Sequence, residues 1–237
     1  MRKYAKILGA FSMSLASLLG APHAQENAVT AIDILLEPDT AMVSRAQADN
    51  TRLLNAYPKG FALDGTHRPH LTLVQQFVPT ADLDKIYAAA NQVLAKEKAG
   101  GWKLKAFKYY YIPVPPNGIA GIVVEPTEGL LRLQQGLFDA IAPFTEKTGN
   151  AAAFMSADEG SDIQQGLIEY VANFATIAAG KNFNPHVTIG VALETYLNEM
   201  LAEPFEAFAF SLVGAAVYQL GSFGAARKEL QALSLTQ

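Results

Sequence analysis

Apolar positions along this chain switch between a period of two and a helical period, and the switches mark out its elements. Ala31 to Leu36 is a strand-length run stopped by Pro38, and Asp39-Thr40 can cap a helix carried by Met42, Ala46, Leu53, Leu54 and Ala56. After a polar connection, Asp64 to Pro69, a second strand runs from His70 to Phe77 and closes at Pro79. Thr80 can cap the next helix, Ala81 to Lys98, with Leu83, Ile86, Tyr87, Ala90, Val93 and Leu94 at helical spacing; Gly100-Gly101 ends it. Trp102 to Tyr111 and Ile119 to Val124 read as a hairpin around a rigid loop, Pro113 to Gly118. Pro126-Thr127-Glu128 opens a third helix, Asp162 to Ala179 is a fourth, and the turn Gly180 to Pro185 feeds a strand that begins at His186. A short helix, Glu194 to Leu201, precedes three strand candidates, Phe205–Leu212, Ala215–Leu220 and Lys228–Leu233, joined by glycine-bearing turns. Strands mixed with helices, with hairpins near the middle and the end, predict an α+β fold with antiparallel sheets. The expected architecture is a single bilobal domain over residues 25–237: two pseudo-symmetric lobes, roughly 30–115 and 116–237, with flanking helices around a central cleft, the chain ends crossing between lobes.

Two of these strands carry the same pattern. His70-Leu71-Thr72-Leu73 and His186-Val187-Thr188-Ile189 each place a histidine and a threonine two residues apart, with apolar residues between and after them and a proline, Pro69 or Pro185, immediately before. Side chains two apart on a strand share a face at a spacing of roughly 7 Å, so each imidazole and hydroxyl look out together while the apolar residues face a core.

These residues suit one kind of chemistry. Cleaving a phosphodiester without metal needs a base for the nucleophile and an acid for the departing oxygen, and histidine serves both roles because its pKa lies near working pH. Thr72 and Thr188 would hydrogen-bond the nonbridging oxygens. The sequence leaves open which of His70 and His186 is base and which is acid. A zinc site of His67, His70 and His186 is the rival arrangement. Pro69 and the loop before it do not fix His67 beside His70, and no carboxylate stands at ligand spacing, so no metal is expected. Arg68 and Lys181 flank the motifs and could neutralise phosphate. In Tyr109-Tyr110-Tyr111 at least one ring must be core, leaving the remainder, with Tyr218, to stack on a base.

Through Pro69 to Leu73 and Pro185 to Ile189 the chain resembles the 2H phosphoesterase superfamily, which includes 2′-5′ RNA ligase-like proteins and RNA cyclic phosphodiesterases. Its hallmark is a pair of histidine–x–threonine/serine–x motifs with hydrophobic x, and both stretches match. The resemblance implies a metal-independent, cofactor-free phosphodiesterase acting on a 2′,3′-cyclic phosphate or a 2′-5′ linked nucleotide or RNA end. In that reading His70 and His186 are catalytic and Thr72 and Thr188 bind substrate. A non-catalytic nucleotide- or phosphate-binding protein on the same fold is the alternative.

Composition restricts the partners. Arg2, Lys3 and Lys6, an apolar run from Ile7 to Leu19 and the small residues up to Ala24 have the layout of a signal peptide, predicting export to the periplasm or secretion. Losing residues 1–24 removes three positive charges and moves the formal charge from −4 to −7. An acidic protein is poorly suited to long nucleic acid, so the expected partner is a small nucleotide or RNA end, with no membrane association after cleavage and a monomeric state. Ligation, the reverse direction at the same site, is disfavoured by export because its RNA substrates are made inside the cell. There is no cysteine, which excludes disulfides and thiolate metal sites.

Overall fold

The computed structural model describes residues 28–155 and 163–236; the expected leader, residues 1–24, lies outside them. In chain order the elements are β1 (Val29–Pro38), α1 (Thr40–Ala56), β2 (Leu71–Pro79), α2 (Leu83–Glu97), β3 (Lys103–Val114), β4 (Asn117–Val124), α3 (Glu128–Ile141), α4 (Gln165–Ile177), β5 (His186–Leu193), α5 (Glu194–Ala202), β6 (Phe208–Leu220) and β7 (Ala226–Leu233). The strands make a seven-stranded sheet in the order β1-β2-β5-β4-β3-β6-β7, in which β6 also pairs with β1. Every pairing is antiparallel. The mixed α+β class expected from the hydropathy pattern is therefore present.

Strand β6 joins the two halves of this sheet. Its first part pairs with β3, from Phe208↔Ala106 to Ser211↔Lys103, and its second part runs between β1 and β7. The sequence reads this segment as two strands broken at a glycine, whereas the structure makes one. Gly214 stands opposite Glu37 of β1, and a Cβ there would collide with the Glu37 carboxylate. The glycine provides clearance, not a turn.

A division at residues 115/116 would cut the β3–β4 hairpin, whose strands pair from Ala106↔Val124 to Val114↔Asn117. The second part of β6 groups with β1, β2 and β7, and its first part with β3, β4 and β5. The rigid loop expected between β3 and β4 is likewise only the two-residue turn Pro115-Pro116, because pairing continues up to it.

Asp39 caps α1, accepting from the Ala41 and Met42 amides, and also accepts from the Ser211 amide, which ties the helix start to β6. Thr127 caps α3 by accepting from the Leu130 amide. Thr80 does not cap α2; its hydroxyl pairs with Thr30 at 2.8 Å. Helices α1, α2, α3 and α5 cover one face of the sheet, where Leu71, Leu73, Val187 and Ile189 are fully buried with Ile34, Met42 and Leu53. Each such side chain contributes about 1.5–3 kcal/mol relative to leaving it exposed. That burial fixes the facing of both motif strands, since a one-residue slip would turn the histidines into the core.

Candidate functional site

Strands β2 and β5 meet at one pair, Leu71↔Val187, the residues that separate histidine from threonine in each motif. Continuing that antiparallel register sets His70 across from Thr188 and Thr72 across from His186, all four on one face. The two histidines are then diagonal neighbours, about 7–8 Å apart and somewhat less between Cβ atoms. His70, Thr72, His186 and Thr188 all line one cavity of about 650 Å³. The four predicted side chains are thus brought together, two from each of the paired strands β2 and β5.

Buried polar side chains hold these strands. Gln134 of α3 donates to the Leu73 and Ala178 carbonyls and accepts from the Gly180 amide, joining β2 to the turn before the second motif. Asn50 of α1 donates to the Ile189 and Phe61 carbonyls and accepts from the Leu63 amide, fastening a cleft wall to β5. Gly190 has φ +143°, and a side chain there would meet Asn50 Nδ2 at 2.9 Å.

Both imidazoles are anchored in the same way, by Nδ1 and the carbonyl two residues upstream: His70 to Arg68 at 2.7 Å and His186 to Asn184 at 2.8 Å. A carbonyl can only accept, so each Nδ1 carries the proton and each Nε2 is left for the cleft. Beyond this the two sites differ. The His186 pKa is lowered to about 4, chiefly by desolvation and also by the charge of His70, against an opposing effect of the Asn184 carbonyl. The Tyr110 ring packs edge-on against it, with centroids 4.7 Å apart. His70 instead stands over Asp33, with Nε2 3.7 Å from Oδ2.

Asp33, which the sequence pattern hides inside a strand, is the main addition to the predicted set. It is fully buried in β1, and its Oδ2 accepts from Thr72 Oγ1 at 2.8 Å and Gln75 Nε2 at 3.0 Å while Oδ1 has no hydrogen-bond partner among the described residues. Burial raises its pKa, opposed by the His70 charge and by the Gln75 and Thr72 hydrogen bonds. The two threonines are therefore not equivalent. Thr72 gives its hydrogen to Asp33, whereas Thr188 lines the cleft with no such acceptor among the described residues. An isolated acidic residue in an apolar run gives little sequence signal; its partner is 39 residues away and is set by strand pairing.

The tyrosine run divides as alternation requires. Tyr109 is buried, bonded to Arg45 and Asp49, and Tyr111 bonds Asn198. Tyr110 lines the cleft, lying across Gly121, where a Cβ would come within 2.5 Å of its ring. Tyr170 of α4 lines the cleft as well, and burial raises the pKa of both phenols, so each remains a neutral donor. Tyr218 is buried beneath the mouth, accepting from Arg68 and donating to Glu229. Arg68 lines the cleft; Lys181 does not. His67 stacks on Phe61, centroids 4.8 Å apart, and its Nδ1 lies 3.1 Å from the Thr66 hydroxyl. Among the described residues no group of three or more His, Cys, Asp or Glu is placed to hold a metal ion.

The family model of the 2′-5′ RNA ligase superfamily matches residues 43–219, which include both motifs. The chain belongs to this superfamily. Phosphoesterase-type chemistry is the general class that this membership supports. Among solved structures, TT0787 of Thermus thermophilus is 16% identical, with a TM-score of 0.54 over 87% of this chain and 98% of that one. That likeness shows the fold. Escherichia coli LigT, solved with 3′-AMP, is 14% identical, with a TM-score of 0.41 over 89% of this chain and 100% of that one. Usb1 of Kluyveromyces marxianus is 9% identical, with a TM-score of 0.38 over 90% of this chain and 99% of that one. A sequence search of curated proteins gives no significant match.

Proposed function

We propose that the chain is a metal-independent phosphodiesterase that opens a 2′,3′-cyclic phosphate, or cleaves a 2′-5′ linked nucleotide end, after export to the periplasm or secretion. The observation that carries this reading is the convergence of His70 and His186, each anchored through Nδ1, on one cleft that Thr188 also lines. His186, neutral because of its burial, is the base: its Nε2 takes a proton from water as the water oxygen bonds to phosphorus. The bond from phosphorus to the sugar oxygen breaks on the opposite side, and His70, beside the Asp33 carboxylate, delivers a proton to that oxygen. The two histidines then exchange their gained and lost protons with solvent. Thr188 and the phenols of Tyr110 and Tyr170, which line the same cleft, donate to the nonbridging oxygens in this mechanism.

The test is release of a nucleoside monophosphate from a 2′,3′-cyclic nucleotide by the mature protein and by His70→Ala and His186→Ala. Each substitution is expected to reduce kcat by about 10²–10⁴-fold, and EDTA is expected to leave the wild-type rate unchanged. Turnover that survives both substitutions refutes the assignment. Tight binding without turnover by the wild type identifies a binding protein instead.

A further inference from the structure

We propose that the cleft selects a phosphodiester with a single negative charge and a large apolar substituent, hydrocarbon or aromatic, in preference to a polyanionic RNA chain. This deepens the reading above and rests on it for turnover, though not for binding. Eight large apolar side chains are exposed among the described residues, and four of them, Ile112, Val114, Ile177 and Phe223, line this cleft. Apolar side chains left in water normally scatter singly; a cluster at the mouth of a cavity marks a binding surface. They come from three separate parts of the chain: the β3–β4 hairpin, the end of α4 and the β6–β7 connection.

Phe223 is the most informative of the four. Its φ of 60° is a left-handed conformation that a bulky L-residue occupies only at a cost of about 1–2 kcal/mol. The ring is nonetheless 68% exposed, so no burial of its own offsets that cost. Phe61 and Phe174 add to the apolar lining. The volume of about 650 Å³ leaves ample room beside a phosphate for an organic group.

Charge sets the rest of the specificity. Arg68 is the one Lys or Arg lining the cavity among the described residues, and it is shared with Tyr218 at 3.2 Å and Glu37 at 3.8 Å. A single, partly engaged cation matches one phosphodiester anion. A chain of phosphates would need several.

The test is a series of alkyl p-nitrophenyl phosphates, methyl to octyl, below their micelle concentrations. Water adds to phosphorus and p-nitrophenolate leaves, so kcat/KM is read by colour. A fully buried methylene is worth about fourfold and a half-covered one roughly twofold. Octyl over methyl is therefore expected to reach on the order of a hundredfold, and at least tenfold. In the double variant Ile112→Ser/Phe223→Ser the octyl-to-methyl ratio is expected to fall by about tenfold; because both esters are measured on the same protein, partial misfolding cancels. A flat series with the wild type overturns the proposal while the phosphodiesterase reading stands, as does a higher kcat/KM for an oligoribonucleotide ending in a 2′,3′-cyclic phosphate than for the octyl ester. If no ester turns over, calorimetry with singly charged dialkyl phosphates, dimethyl to methyl octyl phosphate, decides. Affinity rising with chain length supports the selectivity while the catalytic reading falls, and constant affinity overturns it.

Discussion

If His186 is the base, the acid limb of kcat/KM reports its ionisation in the free enzyme. Its pKa is lowered to about 4, with desolvation as the largest cause. At pH 5.5 such a group is almost wholly deprotonated, whereas an unperturbed imidazole would be about nine-tenths protonated, a difference of roughly tenfold in active enzyme. The measurement is kcat/KM for a 2′,3′-cyclic nucleotide from pH 3.5 to 8. Tyr110 supplies a companion perturbation, since its ring covers one side of the imidazole at a centroid distance of 4.7 Å. Tyr110→Ala admits water there and should move the acid limb upward by about one unit out of a possible 2.5, whatever it does to the absolute rate. NMR titration of His186 should follow the same shift. A wild-type limb centred near 6.5, or a limb that Tyr110→Ala leaves in place, refutes the assignment of His186 as a desolvated, neutral base.

The same depression of pKa makes stability depend on pH. The unfolded chain binds a proton at His186 between about pH 4 and 6.5 that the folded chain does not, so stability is fully present above 6.5 and is lost as pH falls towards 4, by about 3 kcal/mol in total; urea midpoints of the wild type and His186→Gln across this window should diverge accordingly. Asp33→Asn removes the buried charge at nearly constant size. Because burial raises the Asp33 pKa, its ionisation weakens the fold as pH rises, and the variant should melt higher at neutral pH. It should also lose about 1.5–3 kcal/mol of transition-state stabilisation, read as a drop in kcat of roughly ten- to a hundredfold, because His70 loses its carboxylate. Gly121→Ala would drive a methyl group to within 2.5 Å of the Tyr110 ring, so a stability loss of about 1–3 kcal/mol in urea, with a lower kcat/KM, is expected as Tyr110 is pushed away from His186.

The sequence by itself determined the strands, most helices and the four motif side chains, for a physical reason. Leu71, Leu73, Val187 and Ile189 must be buried, and period-two alternation then forces His70, Thr72, His186 and Thr188 onto the opposite face. It could equally show that Tyr109 and Tyr110 face opposite ways, though not which of them meets the cleft. What it could not show depends on partners far apart in the chain. Gly214 reads as a turn until Glu37 is placed across from it. Asp33 reads as a break in an apolar strand until β2 brings Thr72, Gln75 and His70 to its carboxylate. The motifs are alike in residue type, yet only the tertiary structure makes them unequal. It sets one histidine beside a buried carboxylate and the other against the edge of an aromatic ring, and in the mechanism proposed above those surroundings, not the motif, assign the acid and the base.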